Sequence, residues 1–298
     1  MTNNDGTLLK GFVRLSGSAL EIASKLGPLA DLAGTWKGND GWNLIAIPTN
    51  ANGVAGFTLL IQNYSETITF TPISAPVPNR GGVNEQFITG LTYELTITDN
   101  KTGGILHIEN GMWLYMADIE PQGPVLKNAP LPIQYSIARQ SSIPHGDIVI
   151  ALGNGVITSG KPQIPDILAT PPDIGHPKLV GYLDAYKFTD FPQFNAKNPN
   201  VMLQQAIKDQ TIGKVTTITV DTKNHGGSIT NIPFIDQHLN PDRFLSTFWI
   251  EDVITPGLTF KQLQYSQQAD LNFLPKFNDP DGGIIMWPHV NVNTLRKV

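Results

Sequence analysis

The chain has 298 residues, a formal net charge of −5, 28 glycines, 23 prolines and no cysteine. At roughly 150 residues per domain, that length makes one large or two ordinary domains. Charged residues are only 15%, against about 25% in typical globular chains, so Asn, Gln, Ser and Thr must cover the surface.

This composition suits a turn-rich β protein and argues against a helical bundle or coiled coil. The acidic balance argues against a nucleic-acid footprint. The lack of cysteine excludes disulfides, thiolate metal sites, cysteine nucleophiles and iron–sulfur clusters. The N-terminus shows no basic stretch followed by an apolar one, so it does not read as a secretory signal. No apolar run approaches the roughly 18 residues that span a bilayer. The expectation is a soluble, cytoplasmic protein with no membrane span.

The first predicted element is helical. Leu20, Ala23, Leu26, Ala30 and Ala33 recur at spacings of three and four, and Gly27-Pro28 should break the pattern into two short pieces. Glycines 34, 38 and 41 then surround Trp36 and Trp42 ahead of a strand. From Gly56 to Ile119 the pattern is almost purely β. Segments 57–64 and 65–71 read as strands, the second alternating polar and apolar residues. Residues 89–98 alternate likewise. Asp99–Gly104 is a hairpin signal, and Ile105–Ala117 is the next strand.

Two more strands, 132–139 and 147–152, flank a turn at Ile143–Gly146. Prolines crowd residues 160–177, which read as an irregular crossing segment. Asn198–Gln210 should be a second helix, with Asn198 as N-cap and Pro199 at the first helical position. Segments 215–220, 228–232, 243–253, 259–267 and 284–290 are further strands. No alternation of strands with helices of about 10–15 residues appears, which argues against a parallel βαβ sheet. The expected fold is mainly β: an antiparallel barrel of about ten strands with two short helices. It is read as one domain over 1–298, with 160–240 as an elaboration or insertion.

The run Leu29-Ala30-Asp31-Leu32-Ala33-Gly34-Thr35-Trp36-Lys37-Gly38 resembles the opening of the calycin barrels. These are the lipocalins, the fatty-acid-binding proteins and the nitrobindin-like haem-binding proteins, the last being the nearest in pattern. The resemblance implies an up-and-down barrel whose leading helix closes one mouth, with Trp36 plugging the bottom. It also implies haem as a cofactor, ligated by a histidine near the chain end. The matching position is His289, within Trp287-Pro288-His289.

In a chain without cysteine, histidine is the nitrogen ligand left for iron. If Ile105–Ala117 is one strand, His107, Glu109, Gly111, Trp113 and Tyr115 share a face. Gly111 among these large groups leaves room for a ligand or a crossing chain. His145 sits in a Pro-His-Gly turn, where a barrel ligand would enter. No zinc motif, nucleophile elbow or dinucleotide fingerprint is present. His176, His225 and His238 are assigned no function.

Two functions compete. One is a small-molecule-binding barrel holding haem or another apolar ligand. Its lining would be His289, His107, Trp113, Trp287 and Met116, with Met112 and Trp249 adding apolar surface, and His289 would be the metal ligand. The other is a cofactor-free enzyme of isomerase or cyclase type, with His145, Glu109 and Tyr115 in acid–base roles. A glycan- or partner-binding protein is a third possibility.

Overall fold

The computed structural model describes residues 25–51, 53–73, 77–79, 86–115, 135–172, 182–186, 194–233, 238–276 and 283–298. They form β1 (Gly34–Ala51), β2 (Val54–Pro72), β3 (Val77–Asn79), β4 (Gln86–Asp99), β5 (Ile105–Tyr115) and β6 (Ile137–Ser142). The second half gives β7 (Asp147–Ser159), β8 (Thr211–Asp221), β9 (Ser228–Asn231), β10 (Asn240–Thr255), β11 (Leu258–Pro275) and β12 (Ile284–Lys297).

Ten of these strands close a barrel in the order β2-β1-β12-β11-β10-β8-β7-β6-β5-β4, and β4 pairs back onto β2. Short β3 and β9 add to β4 and β7. Neighbours pair antiparallel throughout. β12 holds the closure together by pairing with both β1 and β11.

Alternation explains the wall. On β2, Tyr64, Glu66, Ile68 and Phe70 are buried while Ser65, Thr67 and Thr69 are less so or exposed. Segments 57–64 and 65–71, expected as two strands, are one strand of 19 residues, because no turn residue separates them. The interior is filled by Trp36, Tyr64, Phe70, Leu91, Trp113, Phe248 and Tyr265.

One end is sealed by a 3-10 turn at Gly27–Asp31, with Leu29 and Leu32 buried beneath it. Gly27 adopts φ +52 where an added Cβ would strike the Tyr115 ring, so glycine is required there. Trp36 plugs this end, donating its indole N–H to the Leu32 carbonyl at 2.7 Å. Asp31 ties the turn to the wall through Thr216 at 2.7 Å, Lys214 at 2.6 Å and Lys261 at 2.9 Å. Burial works against its charge, but Lys214, Thr216 and Lys261 together hold its carboxyl down at about 2.

Of the two expected short helices, the second is present but shorter, and residues 20–24 of the first lie outside the described residues. The described residues hold one α-helix, α1 (Val201–Ala206), and 3-10 turns at Gly27–Asp31 and Leu183–Tyr186. α1 is six residues long, and its N-cap is Asn200 without a side-chain capping bond. The asparagine side chains are used elsewhere. Asn198 donates to Asp166 at 2.6 Å and Asn200 donates to the Pro165 carbonyl at 2.7 Å, so their side chains pin the proline-rich segment instead of capping the helix.

That segment and α1 lie on the outside of the wall. Ala169, Phe194, Ala196, Leu203 and Ile207 pack with Trp42, Leu44, Trp249, Trp287 and Val290 in a second core. This explains why these strands carry apolar residues on both faces. Residues 211–221, inside the stretch 160–240 read as an elaboration, form the stave β8 between β7 and β10.

Candidate functional site

β5 presents its two faces as the alternation requires. Glu109 and Trp113 are buried, His107, Gly111 and Tyr115 are partly buried, and Ile108, Asn110 and Met112 are exposed. Gly111 accommodates a crossing chain: an added Cβ would lie 1.9 Å from the Gln140 carbonyl oxygen of the neighbouring strand. Gly111→Ala is therefore expected to destabilise the wall by about 1–3 kcal/mol through backbone displacement, which urea denaturation would register.

A cavity of about 270 Å³ lies at the barrel end opposite the sealed one. Ile45 and Ile47 of β1, Leu95 and Ile97 of β4, Val149 of β7, Phe244 of β10 and Leu271 of β11 give it apolar walls. His107, Glu109, His145, Asp147, Asn231, Gln267, His289 and Asn291 supply its polar groups. Three histidines from β5, the β6–β7 turn and β12, distant in sequence, thus meet at one opening.

Their hydrogen bonds form a chain leading inward. His145 Nε2 lies 3.1 Å from His107 Nδ1, and His107 Nε2 lies 3.2 Å from Glu109 Oε2. One set of neutral tautomers satisfies both contacts: His145 donates to His107 and His107 donates to Glu109. Burial and the neighbouring His107 lower the His145 pKa, against a partial opposing pull from Glu109.

Below the histidines is a closed polar network. Glu109 is 6% exposed and Arg139 is 1% exposed. Arg139 Nη2 meets Glu109 Oε1 at 2.7 Å, Nε meets Ser141 at 3.0 Å and Nη1 meets Ser246 at 3.1 Å. Gln267 and Tyr93 complete it, Tyr93 donating to Glu109 Oε1 and Gln267 accepting from Arg139. The guanidinium also faces the rings of Phe244 at 5.0 Å and Trp113 at 5.3 Å, a cation–π setting. Burial alone would raise Glu109, but Arg139 and His107 hold its carboxyl well below the usual range.

His289 stands on the opposite wall. Asn43 donates through Nδ2 to Gln62 at 2.9 Å, so its Oδ1 is an acceptor. His289 Nε2, at 2.8 Å from that oxygen, therefore carries the proton, and the imidazole lone pair lies on Nδ1. Asn291 donates to the same oxygen at 2.9 Å. Burial, with His107 and His145 nearby, pushes the His289 pKa down to about 3. An NMR titration should accordingly show no imidazole midpoint for His289 between about pH 5 and 8.

The residues singled out from sequence thus fall into two groups. His107, Glu109, His145 and His289 converge on the cavity. Trp113 packs in the interior core against Phe248, at 5.2 Å between ring centroids. Tyr115 packs at the sealed end, against Gly27. Trp287 belongs to the outer core, stacked on Phe273 at 5.2 Å with its indole N–H on the Phe273 carbonyl. Trp249 lies in that outer core too, and Met112 is exposed. Met116 and His176 lie outside the described residues.

Sequence reading missed Arg139, Gln267, Asp147 and Asn231. The only signal for Arg139 was an arginine in an otherwise apolar strand pattern, Ile137-Ala138-Arg139.

No family model matches the chain. No curated protein matches it either. Among solved structures, "Rv2717c from M. tuberculosis" is similar at 14% identity and a TM-score of 0.41, over 95% of this chain and 99% of that one.

Proposed function

We propose that this protein binds a small, largely apolar molecule in the barrel cavity, with the histidines at its opening. The observation that carries the reading is an apolar cavity, open at one end, into which His107, His145 and His289 converge from three separate elements. Convergent polar groups on an apolar pocket are the usual form of a ligand site. Binding is favoured over acid–base chemistry at Glu109, since both its oxygens already have partners and its charge is held by Arg139. A general base needs a pKa near the working pH and a free lone pair.

Organic extraction of the purified protein with mass spectrometry should find such a molecule at near-equimolar ratio. Filling the cavity by Ile97→Trp should abolish its recovery, at an overpacking cost of about 1–3 kcal/mol. Equal recovery from both proteins would count against the cavity as the site.

Haem is a second reading, favoured by one observation: His289 is a neutral imidazole on the cavity wall. The volume of about 270 Å³ lies below the roughly 300–1,000 Å³ of drug-sized ligand sites. A whole macrocycle exceeds it, and the haem form of the reading rests on one porphyrin edge entering the opening. Hemin titration should then give a porphyrin absorption band that His289→Ala removes, and a flat spectrum would eliminate this form alone.

A further inference from the structure

Asp147 and Asn231 stand opposite each other in register on β7 and β9, both on the cavity wall. Residues so paired have Cβ atoms about 4.5–5.5 Å apart on one face. Asn231 is 8% exposed, and its Nδ2 donates to the Leu239 carbonyl at 2.6 Å, which fixes the amide orientation. Its Oδ1 is therefore an acceptor, and it is buried without a partner among the described residues. Asp147 Oδ1 is likewise buried without a partner. A buried acceptor left unpaired costs about 1–3 kcal/mol, so two side by side on a cavity wall mark a place where a ligand donates.

The charge of the lining narrows the donor. Glu109 is compensated by Arg139 at 2.7 Å. Among the described residues, no lysine or arginine lines the cavity and none pairs with the carboxyl of Asp147. A carboxylate head, as on a fatty acid or a porphyrin propionate, would meet like charge on this side. An ammonium would meet two oxygens and one negative charge, while its apolar body rests on Ile45, Ile97, Val149 and Phe244.

We infer that the cavity selects an apolar amine, its ammonium group held by Asp147 and Asn231. This rests on the cavity being a ligand site at all. A matched series on one ring body tests it: 1-naphthylmethylamine, 1-naphthylmethanol and 1-naphthoate, titrated calorimetrically into the full chain. The amine should bind at least about tenfold more tightly than the carboxylate, the expected scale for one desolvated charge contact. Asp147→Asn should remove that preference while leaving the alcohol within about twofold, and Asn231→Leu should weaken amine and alcohol together.

Equal binding of all three, or an amine preference that survives Asp147→Asn, would overturn the amine assignment while leaving the cavity as a ligand site. Binding of none of the three would sink the ligand-site reading and this inference with it. The wild-type series decides the preference by itself, so the result stands even if a variant fails to fold.

Discussion

Arg139→Met is expected to lower stability by about 3–5 kcal/mol, the cost of leaving a buried partner charge uncompensated. For a chain of this size that is about 10 °C in Tm. Glu109 then has no cation beside it among the described residues of the barrel interior, and Gln267, Ser141 and Ser246 lose the Arg139 donor. The double variant Arg139→Met with Glu109→Leu should recover more than half of the loss, because no isolated charge stays buried. Thermal unfolding of the three proteins checks this. A single variant within about 1 kcal/mol of wild type would show that the network is dispensable.

The pair also has a signed pH dependence. Glu109 is depressed in the folded state, so its stabilisation is present above the unfolded carboxylate range and is lost as pH falls through the folded value. Asp31, held at about 2, acts in the same sense. Acid should thus loosen the interior network and the sealed end.

Glu66→Gln is expected to raise stability above neutral pH by about 3 kcal/mol, and to flatten stability against pH between about 4.5 and 7. Glu66 is 2% exposed; Tyr265 donates to its Oε2 at 2.6 Å and Asn293 at 2.7 Å, and Oε1 has no partner among the described residues. Burial raises its carboxyl from 4.5 to about 7, against the pull of those two donors. A folded pKa above the unfolded one means stability is complete below about pH 4.5 and is lost as pH rises through 7. Glutamine keeps the shape and cannot ionise. Glu251, also raised to about 7 by burial, has the same sign, so the double variant Glu66→Gln with Glu251→Gln should be flatter still. Urea denaturation at three pH values would check both, and an unchanged slope in the double variant would refute the assignment.

The barrel was legible because its signal is local. Alternation along β4 and β5, the Asp99–Gly104 turn and the Gly-Thr-Trp start each lie within a few residues. Asp99 illustrates this: its carboxylate accepts the amides of Lys101 at 2.8 Å and Thr102 at 2.7 Å, so the turn forms from its own sequence. The face carrying His107, Glu109 and Trp113 was legible for the same reason, since a strand has period two. The second helix lies within the expected 198–210 but is shorter, and the Asn198 and Asn200 side chains bond Asp166 and the Pro165 carbonyl instead of capping it. Trp287 and Trp249 were expected in the cavity because an apolar strand residue does not announce which of two cores it joins.

The chain's own residues therefore determine that it is a β protein with short turns, that cysteine chemistry is closed to it, and which strand face holds His107 and Glu109. Closure by β12 decides what lies opposite that face. It brings His289 and Asn43 from the two ends of the sequence together at the cavity, while the β5–β6 pairing sets Arg139 against Glu109 and the β7–β9 pairing places Asp147 beside Asn231. The reason is physical. A strand specifies alternation along itself through its backbone geometry, but its neighbours are chosen by burial and register across the whole barrel.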